Sequence, residues 1–141
     1  MRFLIDTNVF FEMLFDRPGA GEAKRLLENV EQHEFFISDY ALHSVGTYLF
    51  QRNQINVFRQ FLKDQIVDAG MNILTLSAED LERVAIISEQ TKLDFDDAYQ
   101  YTVAEKYDLT LVSFDKDFDR TSRGRKTPAA ALKIKDSLRA L

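Results

Sequence analysis

The sequence contains no cysteine, only two histidines and no apolar run near the roughly 18 residues of a membrane span. Without cysteine there is no disulfide framework, thiolate zinc site or thiol nucleophile, and the composition fits a reducing compartment. His33 and His43 are too few for an imidazole-rich metal centre. Charge is reached at Asp6, too early for a secretory apolar segment, so a cytoplasmic location is expected. The chain does have enough apolar residues for a core: 45% of its 141 residues are hydrophobic and 29% charged, which fits one domain spanning 1–141.

What remains for chemistry is oxygen. Twenty-three carboxylates outnumber 18 basic side chains, for a net charge of -5. From Arg120 onward, seven basic residues face the single acid Asp136, a balance of +6, which leaves -11 on the first 119 residues. An acidic body with a basic C-terminal stretch suits a polyanionic partner, and equally suits a solvated basic helix.

The hydrophobic pattern predicts short strands at Arg2 to Ile5, Phe35 to Ile37, Asn72 to Leu74 and Leu109 to Val112. Between them lie helical patterns. A brief helix follows Asp6 and is broken at Asp16-Arg17-Pro18-Gly19, and a second runs from Gly21 to Glu31 with Ala23, Leu26, Leu27 and Val30 on one stripe. Ser38-Asp39 caps a helix to about Arg52, and Ile55, Phe58, Phe61, Leu62 and Ile66 mark its hairpin partner. Phe50, Val57, Phe58 and Phe61 on this pair suit either the core or a partner surface. Ser77 and Asp80 form a capping box for a helix that turns Leu81, Val84 and Ala85 inward. Another helix runs from near Asp94 to about Tyr107, Lys116 to Thr127 reads as loop, and Pro128 opens a helix ending near Leu138. Such alternation predicts an α/β three-layer sandwich, a mainly parallel central sheet with helices on both faces.

In that fold, ligands bind at the carboxyl edge of the sheet. Asp6 ends the first strand, Asp115 follows the last, and Asp97 lies in the first turn of the helix after Asp94. Each alone suits a cap or turn. Converging, two like charges about 4 Å apart cost roughly 4 kcal/mol at an effective dielectric near 20, which calls for a cation, a shared proton or a function. Oxygen ligands without His or Cys select Mg²⁺ or Mn²⁺. Asp96, Asp117 and Asp119 read as solvated acids that shape the field of such a site, and His43 reads as a surface residue. The basic residues Arg120, Arg123, Arg125 and Lys126, directly after the acids, are candidates for holding the phosphates of a polyanionic partner.

Asp6-Thr7-Asn8 after the first strand, Leu93-Asp94-Phe95-Asp96-Asp97-Ala98 opening a late helix, and Leu111-Val112-Ser113-Phe114-Asp115 near the end give a chain that resembles the PIN-domain ribonucleases. VapC-like toxins of toxin–antitoxin pairs are the nearest group. The resemblance implies metal-dependent hydrolysis of RNA, with Asp6, Asp97 and Asp115 as acidic metal-site positions and Thr7, Asn8 and Ser113 as polar neighbours. It further implies a homodimer and a small antitoxin as partners. The family usually carries a glutamate where Ser44 stands, and Asp39, about one turn before it, and Glu12 on the first helix are the acids that could compensate. A degenerate PIN domain that binds RNA or protein without cleaving is therefore the alternative. A haloacid-dehalogenase-like phosphatase fits less well, since Asp6-Thr7-Asn8 lacks a second aspartate two residues on; a response-regulator receiver would carry its aspartate in mid-chain.

Overall fold

The computed structural model describes residues 1–134. Four strands, β1 (Arg2–Ile5), β2 (Glu34–Ser38), β3 (Asn72–Leu74) and β4 (Thr110–Val112), form one sheet in the order β3-β2-β1-β4, with every pair parallel. Phe3 stands opposite Phe35 and Thr110, and Leu4 opposite Phe36 and Leu111. Because side chains alternate along a strand, these rows send Phe3, Ile5, Phe35 and Ile37 to one face and Leu4, Phe36 and Leu111 to the other. β1 is central, so Phe3, Leu4 and Ile5 are all fully buried.

Parallel strands need crossovers, and helices supply them on both faces. Beside Phe3 and Ile5 pack α1 (Thr7–Leu14), α2 (Ala20–Leu27), α3 (Asp39–Gln51), α4 (Ile55–Phe61) and α7 (Pro128–Leu132). Beside Leu4 pack α5 (Ala78–Thr91) and α6 (Phe95–Tyr107). The expected three-layer sandwich is present. Phe10 and Phe61 meet edge to face at 5.2 Å in the first layer, where truncating either ring to Ala would cost about 3–5 kcal/mol. α6 is buried from Ala98 through Ala104, so its interior polar groups must find partners inside the protein. Caps set the helix starts: Ser38 Oγ accepts from Ala41 N, Ser77 and Asp80 cap each other's backbone, and Thr127 caps the turn opened by Pro128. No helix of the described residues is long and apolar enough to cross a membrane.

Some local expectations are corrected. α2 stops at Leu27, where the Asn29 carbonyl accepts from Gln32 and His33 in a turn, and Val30 is exposed instead of completing the stripe. After α4 the chain widens into a π turn over Leu62–Asp68, in which Lys63 and Asp68 pair at 2.6 Å across five residues, a separation matched to the wider turn. On α5 the buried residues are Val84 and Ile87, while Leu81 and Ala85 face out. The aromatic pair of helices divides: Phe61 is core, whereas Phe50 and Val57 are exposed. Within the expected loop, Lys116–Arg120 forms a 3₁₀ turn, and Lys126 bridges to Val112 at the open edge of β4. α7 is described only to Leu132, and the expected continuation to Leu138 extends outside the described residues.

Candidate active site

β1 and β4 end side by side, because Ile5 pairs with Val112. Asp6 and Ser113 therefore emerge together at the carboxyl edge, and Asp6 N donates to the Val112 carbonyl. Asp6 is 5% exposed and accepts three hydrogen bonds: Thr7 N at 2.9 Å, Gln100 Nε2 at 3.0 Å and Ser113 Oγ at 2.6 Å. Ser113 Oγ in turn accepts from Asn8 Nδ2 and from Asp115 N, and Asn8 Oδ1 accepts from Phe114 N. Gln100 is itself held by the Ser38 hydroxyl. One polar chain thus runs from β2 through α6, β1 and β4 to α1, and it orients Asp6 without any cation.

Asp97 enters from the first turn of α6, and Asp115 from the turn after β4, where its carboxylate caps Asp117 N at 2.8 Å. That turn is packed closely from behind. A Cβ at Gly19 would lie 2.5 Å from the Phe114 ring, so glycine permits the approach of the loop between α1 and α2. Asp6, Asp97 and Asp115 line one cavity of about 280 Å³ with Thr7, Asn8, Ser44 and Gln100. All three predicted acids and the predicted vacancy at Ser44 are thus brought together.

The site's electrostatics follow from crowding. Burial raises the Asp6 carboxyl above the ordinary carboxylate range, against the pull of the bonds from Ser113, Gln100 and Thr7. Asp97 is pushed up to about 8, first by burial, then by sharing a hydrogen bond with Asp115 and by the charges of Asp6 and Asp96. Among the described residues no ion pair involves Asp6, Asp97 or Asp115. Asp97, Asp115 and Asp117 each offer an oxygen within 4.8 Å of the other two. Oxygens about 2.1 Å from an octahedral Mg²⁺ stand roughly 3.0 Å apart when adjacent and roughly 4.2 Å when opposite, so these carboxylates would have to draw together to share one ion.

Two participants escaped the sequence reading, Gln100 and Tyr40. Asp117, exposed as expected and 3.6 Å from the Arg120 guanidinium, comes within reach of Asp97 and Asp115, and Asp96 lines the cavity. Gln100 and Tyr40 also line it; Gln100 lies one helical turn after Asp97, and a glutamine inside the apolar run of α6 was the available signal. Neither nearby acid fills the place of Ser44. Asp39 is engaged by Tyr99 OH at 2.7 Å and Thr75 Oγ1 at 2.9 Å, and Glu12 Oε2 is buried without a hydrogen-bond partner among the described residues. Of the basic stretch, Arg120 donates to the Thr91 and Lys92 carbonyls, Arg123 to Asp108 and Leu109, and Arg125 to Asp119 and Ser113. Those three guanidinium groups brace the loop, whereas the Lys126 side chain is exposed.

Solved structures similar in fold include a toxin–antitoxin complex from Klebsiella pneumoniae, 27% identical, with a TM-score of 0.70 over 89% of this chain and 96% of that one. VapBC2 from Rickettsia felis, bound to a promoter DNA fragment, is 18% identical with a TM-score of 0.70, over 89% of this chain and 97% of that one. VapC20 of Mycobacterium tuberculosis, described as a sarcin-ricin loop cleaving toxin, is 18% identical with a TM-score of 0.69, over 85% and 95%. No curated protein sequence matches the chain. The family model for the PIN domain matches residues 3–124, from the second residue of β1 to the glycine beyond the 3₁₀ turn, and the chain therefore belongs to the PIN domain family.

Proposed function

We propose that this chain is a divalent-metal-dependent ribonuclease hydrolysing RNA phosphodiester bonds, acting in the cytoplasm as the toxin of a toxin–antitoxin pair. A small antitoxin is its partner and a homodimer its working unit. The observation that carries this reading is the cavity at the carboxyl edge, where acids from the end of β1, α6 and the turn after β4 meet and, among the described residues, no basic side chain pairs with Asp6, Asp97 or Asp115. Family membership supports it, as does likeness to the Klebsiella toxin–antitoxin complex.

Asp97 and Asp115, with Asp117 beside them and Asp6 behind, would hold Mg²⁺ or Mn²⁺. The chemistry supplied by such a cation when bound is Lewis-acid activation of a water and neutralisation of charge on the phosphate. The protein's share is orientation. Ser113, Gln100 and Thr7 N keep Asp6 in one rotamer, and Asn8 fixes Ser113, so the acids are preorganised and little reordering is needed on binding. With Arg120, Arg123 and Arg125 spent on the loop, contact with the RNA backbone falls chiefly to Lys126 and Lys116, both exposed.

The test is cleavage of a structured RNA with Mn²⁺, comparing the parent with Asp6→Asn. Cleavage that needs the metal, stops with a chelator and is lost in the variant is the expected result. RNA binding by the parent with no cleavage under any divalent metal would favour the second reading, a PIN domain that binds without cutting; Ser44 lining the acid cavity is the observation on its side.

A further inference from the structure

We propose that the groove leading from the acid cavity along α3 is a nucleobase subsite, which holds the base beside the phosphate addressed by the acids; this rests on the ribonuclease reading above. The groove has a volume of about 470 Å³ and is walled by Phe11, Tyr40 and Tyr48, with His43, Thr47 and Gln51 among its other lining side chains. Positions 40, 43, 44, 47, 48 and 51 recur at the three- and four-residue spacing that puts them on one face of α3. Phe11, Tyr40 and Ser44 line both this groove and the acid cavity, so the two are continuous.

The chemistry of the two spaces is opposite. The cavity is lined by carboxylates, whereas the groove is lined by aromatic rings, hydroxyls, an imidazole and an amide, with no Asp, Glu, Lys or Arg. A phosphate finds no cation there, and a charged side chain finds no counter-ion. A base finds both things it needs: ring surface to pack on, and groups that donate and accept at its edge. Gln51 and His43 are exposed and carry such groups. The wall is braced, since Phe11 and Tyr48 lie 4.8 Å apart and the Arg52 guanidinium sits 3.3 Å over the Tyr48 ring. Among ribonucleotide components, the base is the neutral, planar part that lies within one sugar of the phosphodiester.

The two histidines make the test direct, because His33 is buried and His43 lies in the groove. The full chain carrying Asp115→Asn, so that RNA is bound and not cut, is titrated with short single-stranded RNA of random sequence and with abasic RNA of equal length, following the imidazole proton resonances. Intact RNA should move the His43 resonances upfield and saturably, abasic RNA should not, and the His33 resonances should stay in place. Gln51→Ala should weaken intact RNA about tenfold and abasic RNA less than about twofold. In the cleaving chain, sequencing the ends cut from a random RNA pool should show a base preference at one position beside the break, flattened about tenfold by Gln51→Ala. A silent His43, or equal response to abasic RNA, overturns the subsite even where cleavage is seen, and leaves the groove to a protein segment. His43 shifts that require the base, in a chain whose parent cuts no RNA, support the subsite and overturn the nuclease reading alone.

Discussion

Two charged regions sit a few residues apart and have opposite fates. In the segment after β4, charges are answered: Arg125, 11% exposed, forms two bonds with Asp119 and a third with the Ser113 carbonyl, while Arg123 reaches Asp108 and Arg120 caps the end of α5. At the carboxyl edge, Asp6, Asp97 and Asp115 crowd one cavity with neutral hydrogen bonds and one another for company. Paired charge builds a loop; unpaired charge held rigidly is an arrangement that only a cation or a proton completes.

The largest expected break in this contrast is at the acids. Asp115→Asn should lower metal-dependent RNA cleavage by more than about 100-fold, since loss of groups that merely orient ligands already costs 10- to 100-fold. Retained cleavage would remove Asp115 from the site. Ser44→Glu sharpens the comparison by adding charge to the unpaired side. The metal-free variant should melt below the parent, and its metal-induced rise should exceed the parent's, by up to about 2.7 kcal/mol at a hundredfold excess over Kd for the site so created. Equal rises in calorimetry would mean that position 44 does not face the ion.

On the paired side the effect moves from activity to stability. Arg125→Met should lower unfolding free energy by about 2 kcal/mol in urea titration, because a mostly buried set of charged hydrogen bonds is lost with its carboxylate and carbonyl left behind. Lys126→Ala, by contrast, should stay within about 0.5 kcal/mol of the parent and reduce the salt slope of RNA binding by about one. The reverse pattern would return phosphate contact to the arginines.

A pH dependence of the metal-free protein is expected from the same crowding of acids. Asp97 holds its proton up to about 8 when folded, whereas an ordinary aspartate loses it near 3.8, so between these values the folded state binds more protons than the unfolded one. Stability from this group is therefore full at low pH and is lost as pH rises from about 4 through 8. Melting temperatures taken across that window should decline, Asp97→Asn should flatten the decline, and Mn²⁺ should offset it most at the alkaline end. A decline unchanged in Asp97→Asn would assign it to another group.

The three acids that meet in the cavity were legible because each stands at the end of an element, and a parallel sheet brings such ends to one edge. Gln100 was harder. Its value comes from facing Asp6, 94 residues away, across a packed helix and strand, and sequence spacing relates it only to Asp97. Asp117 is exposed as expected, and its nearness to Asp115 has a local reason: the Asp115 carboxylate caps Asp117 N, which tightens the chain into a 3₁₀ turn and carries the second acid back toward the first. The arginines' bonds to the loop could not be read in advance, because a run of basic residues has the same composition whether it faces water or its own backbone carbonyls.

By itself, then, the sequence determined the alternation of elements, the sheet's buried rows and the acids at strand and helix ends, since these depend on periodicities of two and 3.6 and on capping chemistry a few residues long. Tertiary structure alone decided which charges are paired, where α2 stops and α4 widens, and that Gln100 and Tyr40 share the acids' cavity. Those outcomes depend on groups far apart in the chain, whose distances are set only when both layers of helices close on the sheet.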